Sequence, residues 1–228
     1  MSRTRIKICG ITDEETALVA VEAGADAIGL VFVEKSPRNI DVPTAKKIVK
    51  ALPPLVEPIG LFVDEAPEHV RHIAQQVGLR TVQLHGRETI EYVTSLDDLH
   101  ILKAVTFSSS PDKTDAIIDE WKNPPRHLVG LLWDAAPNGD NSGLLGGTGQ
   151  AFDWDALAEL QAHGNLEHLP KLILAGGLTP ENVGEAIATI KPYAVDVSSG
   201  VESSRGIKDH ELIKQFCIHA QKADAQFA

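Results

Sequence analysis

Eight short runs rich in Val, Ile and Leu, each followed by a turn residue and a segment of helical period, constrain this chain more than any other feature of its sequence. They are RIKIC (5–9), AIGLVF (27–32), PIGLFV (58–63), TVQLH (81–85), HILKAV (100–105), HLVGLLWD (127–134), LILAG (172–176) and AVDVS (194–198). Short, largely apolar runs suit strands covered on both faces, as in a parallel sheet flanked by helices. Helices are expected between them, among others at Asp13 to Ala23, Pro43 to Ala51, Pro67 to Val77, Pro180 to Ile190 and Lys208 to Ala223. Pro43, Pro67 and Pro180 are placed at helix starts, where the missing N–H costs nothing. Such α/β alternation builds either an open doubly wound sheet or a closed barrel. Eight units in one chain predict the eight-stranded parallel β/α (TIM) barrel.

No change of composition and no long linker divides residues 1–228, so a single domain is expected. The stretch AAPNGDNSGLLGGTGQ (135–150) is too long for a simple connection and is expected to be a functional loop. The tail QKADAQFA (221–228) is expected to fray. With 32 acidic against 21 basic residues the formal charge is −11. Nucleic acid and anionic membrane are therefore not expected as partners, and a phosphate would have to be held locally. Cys9 and Cys217 lie far apart with no CxxC spacing, which predicts neither a disulfide framework nor a zinc cluster and fits a reducing, cytoplasmic setting. MSRTRIKICG lacks the apolar stretch of a signal peptide, and no run is long enough for a membrane span.

Residues two apart on a strand share a face. If Ile6 and Ile8 pack against helices, Lys7 and Cys9 face the barrel axis. The same alternation turns Gln83 and His85 inward on the fourth run, and Asp196 and Ser198 on the eighth. Lys103 in the fifth run and Asp134 at the end of the sixth complete a set of polar groups on five inward faces. Buried polar groups need partners, so their convergence marks a site, at the C-terminal strand ends where such barrels carry chemistry. Singly, each has a plainer explanation: a buried cysteine is usually a small hydrophobe, and Lys7 with Asp196 makes an internal ion pair. Cys217 is assigned to packing, because it shares a helical stripe with Ile213, Phe216 and Ala220. Two glycine-rich turns, AGGLTPENV (175–183) and VSSGVE (197–202), follow the last two strands. There the backbone N–H groups of Gly177, Leu178, Ser199 and Gly200 are candidates to bind a phosphate. GGTG (146–149) lacks the context of a dinucleotide fold, and no P-loop motif occurs.

KICGIT (7–12), GLVF with SPR (29–38), VQLHG (82–86), LLWDA (131–135), GGTGQAFDW (146–154), LAGGLTPENV (174–183) and VDVSSGVE (195–202) together resemble the phosphoribosylanthranilate isomerases of tryptophan biosynthesis. The resemblance implies an Amadori rearrangement of N-(5-phosphoribosyl)anthranilate, with no cofactor and no metal. It implies Asp134 as the general acid at the ring oxygen and Cys9 as the base that takes the C2 proton. Arg38 matches the arginine for the anthranilate carboxylate, and His85 and Asp196 match positions lining the site. A thiol near ~8.5 and a carboxyl near ~3.9 must both shift to serve in these roles. Lys7, about 7 Å along the strand, is expected to favour the thiolate, and burial with bound substrate to keep Asp134 protonated. The segment 134–146 is longer than the family's usual connection, which leaves the shape of a lid open. Among rival readings, a paired-aspartate aminoaldose isomerase does not account for Cys9, and a metal-dependent epimerase finds no ligand cluster around His85. A binding module without chemistry does not account for Cys9 and Asp134 together. Monomer and homodimer remain equally open.

Overall fold

The computed structural model describes residues 3–107, 111–135 and 154–225. Strands β1 (Arg5–Cys9), β2 (Ala27–Val31), β3 (Glu57–Phe62), β4 (Thr81–Leu84), β5 (His100–Phe107), β6 (Leu128–Ala135), β7 (Lys171–Leu174) and β8 (Ala194–Val197) close a parallel barrel in sequence order. Closure is made where β1 meets β8, with Lys7 beside Asp196. All eight strands fall on the runs read from the sequence. Helices α1 (Glu14–Glu22), α2 (Val42–Ala51), α3 (Pro67–Val77), α4 (Ile90–Ser95), α5 (Pro111–Trp121), α6 (Trp154–Ala162), α7 (Val183–Ile190) and α8 (His210–Ala225) return the chain between strands and close its end.

Local chemistry sets several of these boundaries. Asp13 and Asp41 cap α1 and α2 by accepting the N–H groups of Thr16 and Thr44 at 2.8 and 2.9 Å. Gly78 ends α3 at φ 85°, a left-handed turn that glycine makes without strain. Pro43 and Pro67 do stand in the first turns of α2 and α3.

Alternation along the strands divides the core into two shells. Ile59, Leu102, Leu132, Ile173, Ala175 and Ala194 fill the barrel, and Ile6, Ile8, Val82, Leu84, Leu131, Trp133, Val195 and Val197 pack under the helices. Each fully buried aliphatic side chain contributes roughly 1.5–3 kcal/mol, so burial on both faces of the sheet drives closure. Among the described residues no helix is long and apolar enough to cross a membrane.

Four expectations are corrected. Lys103 does not face the axis: Leu102 and Ala104 do, while its neighbours of like parity, Ile101 and Val105, belong to the outer shell. Its ammonium instead reaches Glu88 Oε2 at 3.0 Å and the Gly86 carbonyl at 2.8 Å. Pro180 precedes its helix, because Thr179 to Asn182 form a turn in which Asn182 Oδ1 accepts the Thr179 N–H, and α7 begins at Val183. Lys208 belongs to a small hairpin, β9 (Glu202–Ser204) with β10 (Ile207–Lys208), and α8 starts two residues later. The tail is helical to Ala225, held by Asp224, which accepts from the backbone and hydroxyl of Thr4. The expected loop at 135–150 lies, apart from Ala135, outside the described residues.

Candidate active site

The C-terminal ends of β1, β4, β6 and β8 bring together Cys9, His85, Asp134 and Asp196, four of the residues singled out in the sequence. Cys9 is 4% exposed, and its Sγ lies over Gly29 of the adjacent strand. A Cβ at position 29 would stand 2.6 Å from that sulfur, so the glycine of GLVF makes the space for the thiol. Gly10, at φ 82°, turns the chain away immediately afterwards and leaves room for the Arg38 side chain. A Cβ there would meet Arg38 Cδ at 2.6 Å.

Lys7 sits one inward position below Cys9 and donates to Asp196 Oδ1 at 2.8 Å, with both side chains under a tenth exposed. Burial by itself would lower the lysine, but Asp196 and then Cys9 outweigh it and hold the ammonium charged above its ordinary range. For the Cys9 thiol the balance goes the other way. Burial pushes it up, Asp196 adds to the push, and the pull of Lys7 and Lys208 toward thiolate is not enough. The expected lowering by Lys7 is therefore present but outweighed. Lys7 spends its charge first on Asp196.

Across the mouth His85 Nε2 lies 3.2 Å from Asp134 Oδ2, and both side chains keep a little over a tenth of their surface open. Gln83 Nε2 donates to His85 Nδ1 at 2.9 Å, so β4 presents an inward column that ends on the β6 carboxyl. Beneath the β4–α4 turn, Glu88 accepts the N–H groups of Gly86 and Asp64 as well as Lys103, which fixes the backbone that carries His85.

Arg38, on the connection after β2, aims its fork at Glu202: Nε to Oε1 at 2.6 Å and Nη2 to Oε2 at 2.8 Å. Nη1 is left out of that pair. Lys208 Nζ donates to the same Glu202 at 2.8 Å and to the Ser198 carbonyl at 2.8 Å. Burial opposes ionisation of Glu202, yet Arg38 and Lys208 overcome it and bring its carboxyl down to about 2. Lys208 bears the cost: burial pulls it below its ordinary value although Glu202 is in contact, and Arg38 repels it. The sequence reading did not single out Glu202 or Lys208. VSSGVE contained the glutamate, but only the hairpin that folds Lys208 back onto it makes the pair buried.

At the ends of β7 and β8 the two glycine-rich turns touch. Gly176 and Gly177 take φ of 78° and 67°, and Ser199–Val201 form a short 3₁₀ turn. A Cβ on Gly200 would lie 1.8 Å from the Leu178 carbonyl oxygen, so only glycine permits this approach. Among the described residues no backbone acceptor takes the N–H of Gly177, Leu178, Ser199 or Gly200. Cys217 is fully buried on α8 among Ile213, Phe216 and Ala220, and burial pushes its thiol up to about 12. It takes no part in the mouth.

Residues 6–219 match the family described as N-(5'phosphoribosyl)anthranilate (PRA) isomerase. The chain belongs to that family. It is 44% identical over 219 residues to the N-(5'-phosphoribosyl)anthranilate isomerase of Trichlorobacter lovleyi, covering 96% of this chain and 98% of that one. It is similar to the crystal structure of phosphoribosyl anthranilate isomerase from Thermotoga maritima, with a TM-score of 0.83, 40% identity, and 96% and 99% of the two chains covered. A second isomerase structure of this family, solved in complex with reduced 1-(o-carboxyphenylamino)-1-deoxyribulose 5-phosphate, superposes with a TM-score of 0.80 at 39% identity, with the same coverage. Like the members it matches, the chain is a parallel β/α-barrel isomerase.

Proposed function

We propose that this chain converts N-(5-phosphoribosyl)anthranilate to 1-(2-carboxyphenylamino)-1-deoxyribulose 5-phosphate, with Asp134 as general acid and Cys9 as general base. Asp134 gives a proton to the furanose ring oxygen as the C1–O bond breaks and the anilino nitrogen forms the C1=N bond of a protonated Schiff base. The Cys9 thiolate then takes the C2 proton, its electron pair forms C1=C2, and the iminium collapses to the enamine. Tautomerisation of that enol to the ketone completes an isomerisation in which nothing is oxidised or reduced overall. Its demands are one acid and one base, each contributing roughly 10²–10⁴-fold.

The observation that carries this reading is the arrangement of Cys9 and Asp134. They stand inward at the C-terminal ends of β1 and β6, each backed by its own polar partners. The four unclaimed N–H groups after β7 and β8 support a phosphate at that end, and Arg38, with Nη1 outside its pair with Glu202, supports a carboxylate at the other. Asp196 and His85 line the ribose between them. Cys9 and Cys217 are both free thiols, which fits work in a reducing cytoplasm.

The test is an assay in which anthranilate and phosphoribosyl pyrophosphate are coupled enzymatically and the fluorescent aldosylamine is followed. The chain should accelerate its disappearance, inorganic phosphate should compete, and EDTA should leave the rate unchanged. Disappearance no faster than the spontaneous rate would overturn the assignment. So would a rate lost to EDTA and restored by a divalent ion.

A further inference from the structure

Gln83 lies on the inward face of β4, two residues before His85, and is completely buried. Its strand neighbours in register are Leu61 and Leu102. Its Nε2 donates to His85 Nδ1 at 2.9 Å, while its Oε1 has no partner among the described residues. A buried carbonyl without a donor is a standing cost, and an apolar side chain of the same length would avoid it. What justifies an amide at this position is its other end.

An amide nitrogen only donates, so Nδ1 of His85 accepts, and the single proton of a neutral imidazole then lies on Nε2. That nitrogen stands 3.2 Å from Asp134 Oδ2. Gln83 N–H to Nδ1 thereby sets the tautomer and leaves the ring proton on the nitrogen that faces Asp134 Oδ2. Among the described residues no hydrogen bond engages Asp134 Oδ1, the oxygen left to exchange a proton with a bound molecule. We propose that Gln83 is a positioning residue, which holds His85 in the Nε2–H tautomer and through it pins Asp134 Oδ2, dedicating Oδ1 to proton transfer. This rests on the reading of Asp134 as the acid. It adds that the acid is aimed from two residues away by a group that never touches the substrate.

The full chain labelled with ¹⁵N-histidine reports the tautomer directly, with the His85 signals assigned by their loss in His85→Ala. In the parent, Nδ1 should give the signal of an unprotonated nitrogen and Nε2 that of a protonated one. Gln83→Met keeps the length and removes the donor. It should spread His85 over both tautomers and lower kcat about tenfold, the worth of one hydrogen bond, with KM within a small factor. Because the orphan carbonyl goes too, Tm should stay or rise, an outcome that a merely structural glutamine would not give. Gln83→Glu replaces the donor by an acceptor and should move a proton onto Nδ1. A parental His85 signature in Gln83→Met, or a parent protein with the proton on Nδ1, would overturn the proposal whatever the kinetics. Parental turnover in Asp134→Asn would overturn the acid reading instead, and is told apart because the His85 tautomer of the unaltered chain does not depend on it.

Discussion

The two sides of the barrel mouth solve opposite problems. On the β1 and β8 side, Lys7, Asp196, Lys208, Glu202 and Arg38 form a packed group of charges beside Cys9, nearly closed to solvent. On the β4 and β6 side, His85 Nε2 and Asp134 Oδ2 meet at 3.2 Å and stay partly open. A base that must be ionised is here surrounded by cations, yet burial still leaves its thiol raised. Asp134 sits at the end of the column formed by Gln83 and His85. In the proposed mechanism a cysteine loses a proton and an aspartate carries one, and the two surroundings differ accordingly: charge is concentrated around the first, and an amide–imidazole column leads to the second.

The heaviest blow to this contrast is on the β4 and β6 side. Asp134→Asn keeps the partner for His85 but cannot supply a proton, and kcat should fall by about 10²–10⁴ with KM within a small factor. Steady-state kinetics on freshly made aldosylamine measures this, and a large rise in KM at parental kcat would turn Asp134 into a binding residue.

The charged side should show itself in acid. Glu202 titrates at about 2 in the fold against 4.5 for a free glutamate, so the stability it brings is fully present above about pH 4.5 and is lost as pH falls toward 2. The span corresponds to at most about 3 kcal/mol. Urea unfolding of the parent should lose that much more over this window than Glu202→Gln, whose curve should be flatter there. Equal slopes would mean that the Arg38 and Lys208 contacts carry no linkage.

A finer probe is the acidic limb of kcat/KM, which reports the base of the free enzyme. Lys7 lowers the Cys9 thiol, so Lys7→Met should move that limb to higher pH; a shift to lower pH would contradict the direction argued here. The variant should also be less stable, because Asp196 is left as a buried charge without its partner.

These two sides were not equally legible in the sequence. Period-two alternation turned Cys9, His85, Asp134 and Asp196 inward because each follows a residue that the helices cover: Ile8, Leu84, Trp133 and Val195. It failed at Lys103, where the lysine occupies an outer-shell position between Ile101 and Val105 and is satisfied by Glu88, a residue that no strand pattern links to it. Glu202 and Lys208 were missed for a related reason. Their burial comes from a hairpin folded across the mouth, and a charged residue in a polar segment gives no local sign of being enclosed. Pro180 misled as a helix start because a turn held by Asn182 intervenes. Strands are written in local alternation, whereas ion pairs between distant connections are written only in the closed barrel.

The central claim is that Cys9 ionises to take a proton while Cys217, equally buried, only packs. It is tested most directly by measuring kcat for purified, folded Cys9→Ala and Cys217→Ala on the same substrate. Cys9→Ala should lose about 10²–10⁴ in kcat with KM nearly unchanged, and Cys217→Ala should turn over at the parental rate. Parental kcat in Cys9→Ala would contradict the account and reduce the first strand's cysteine to a packing residue.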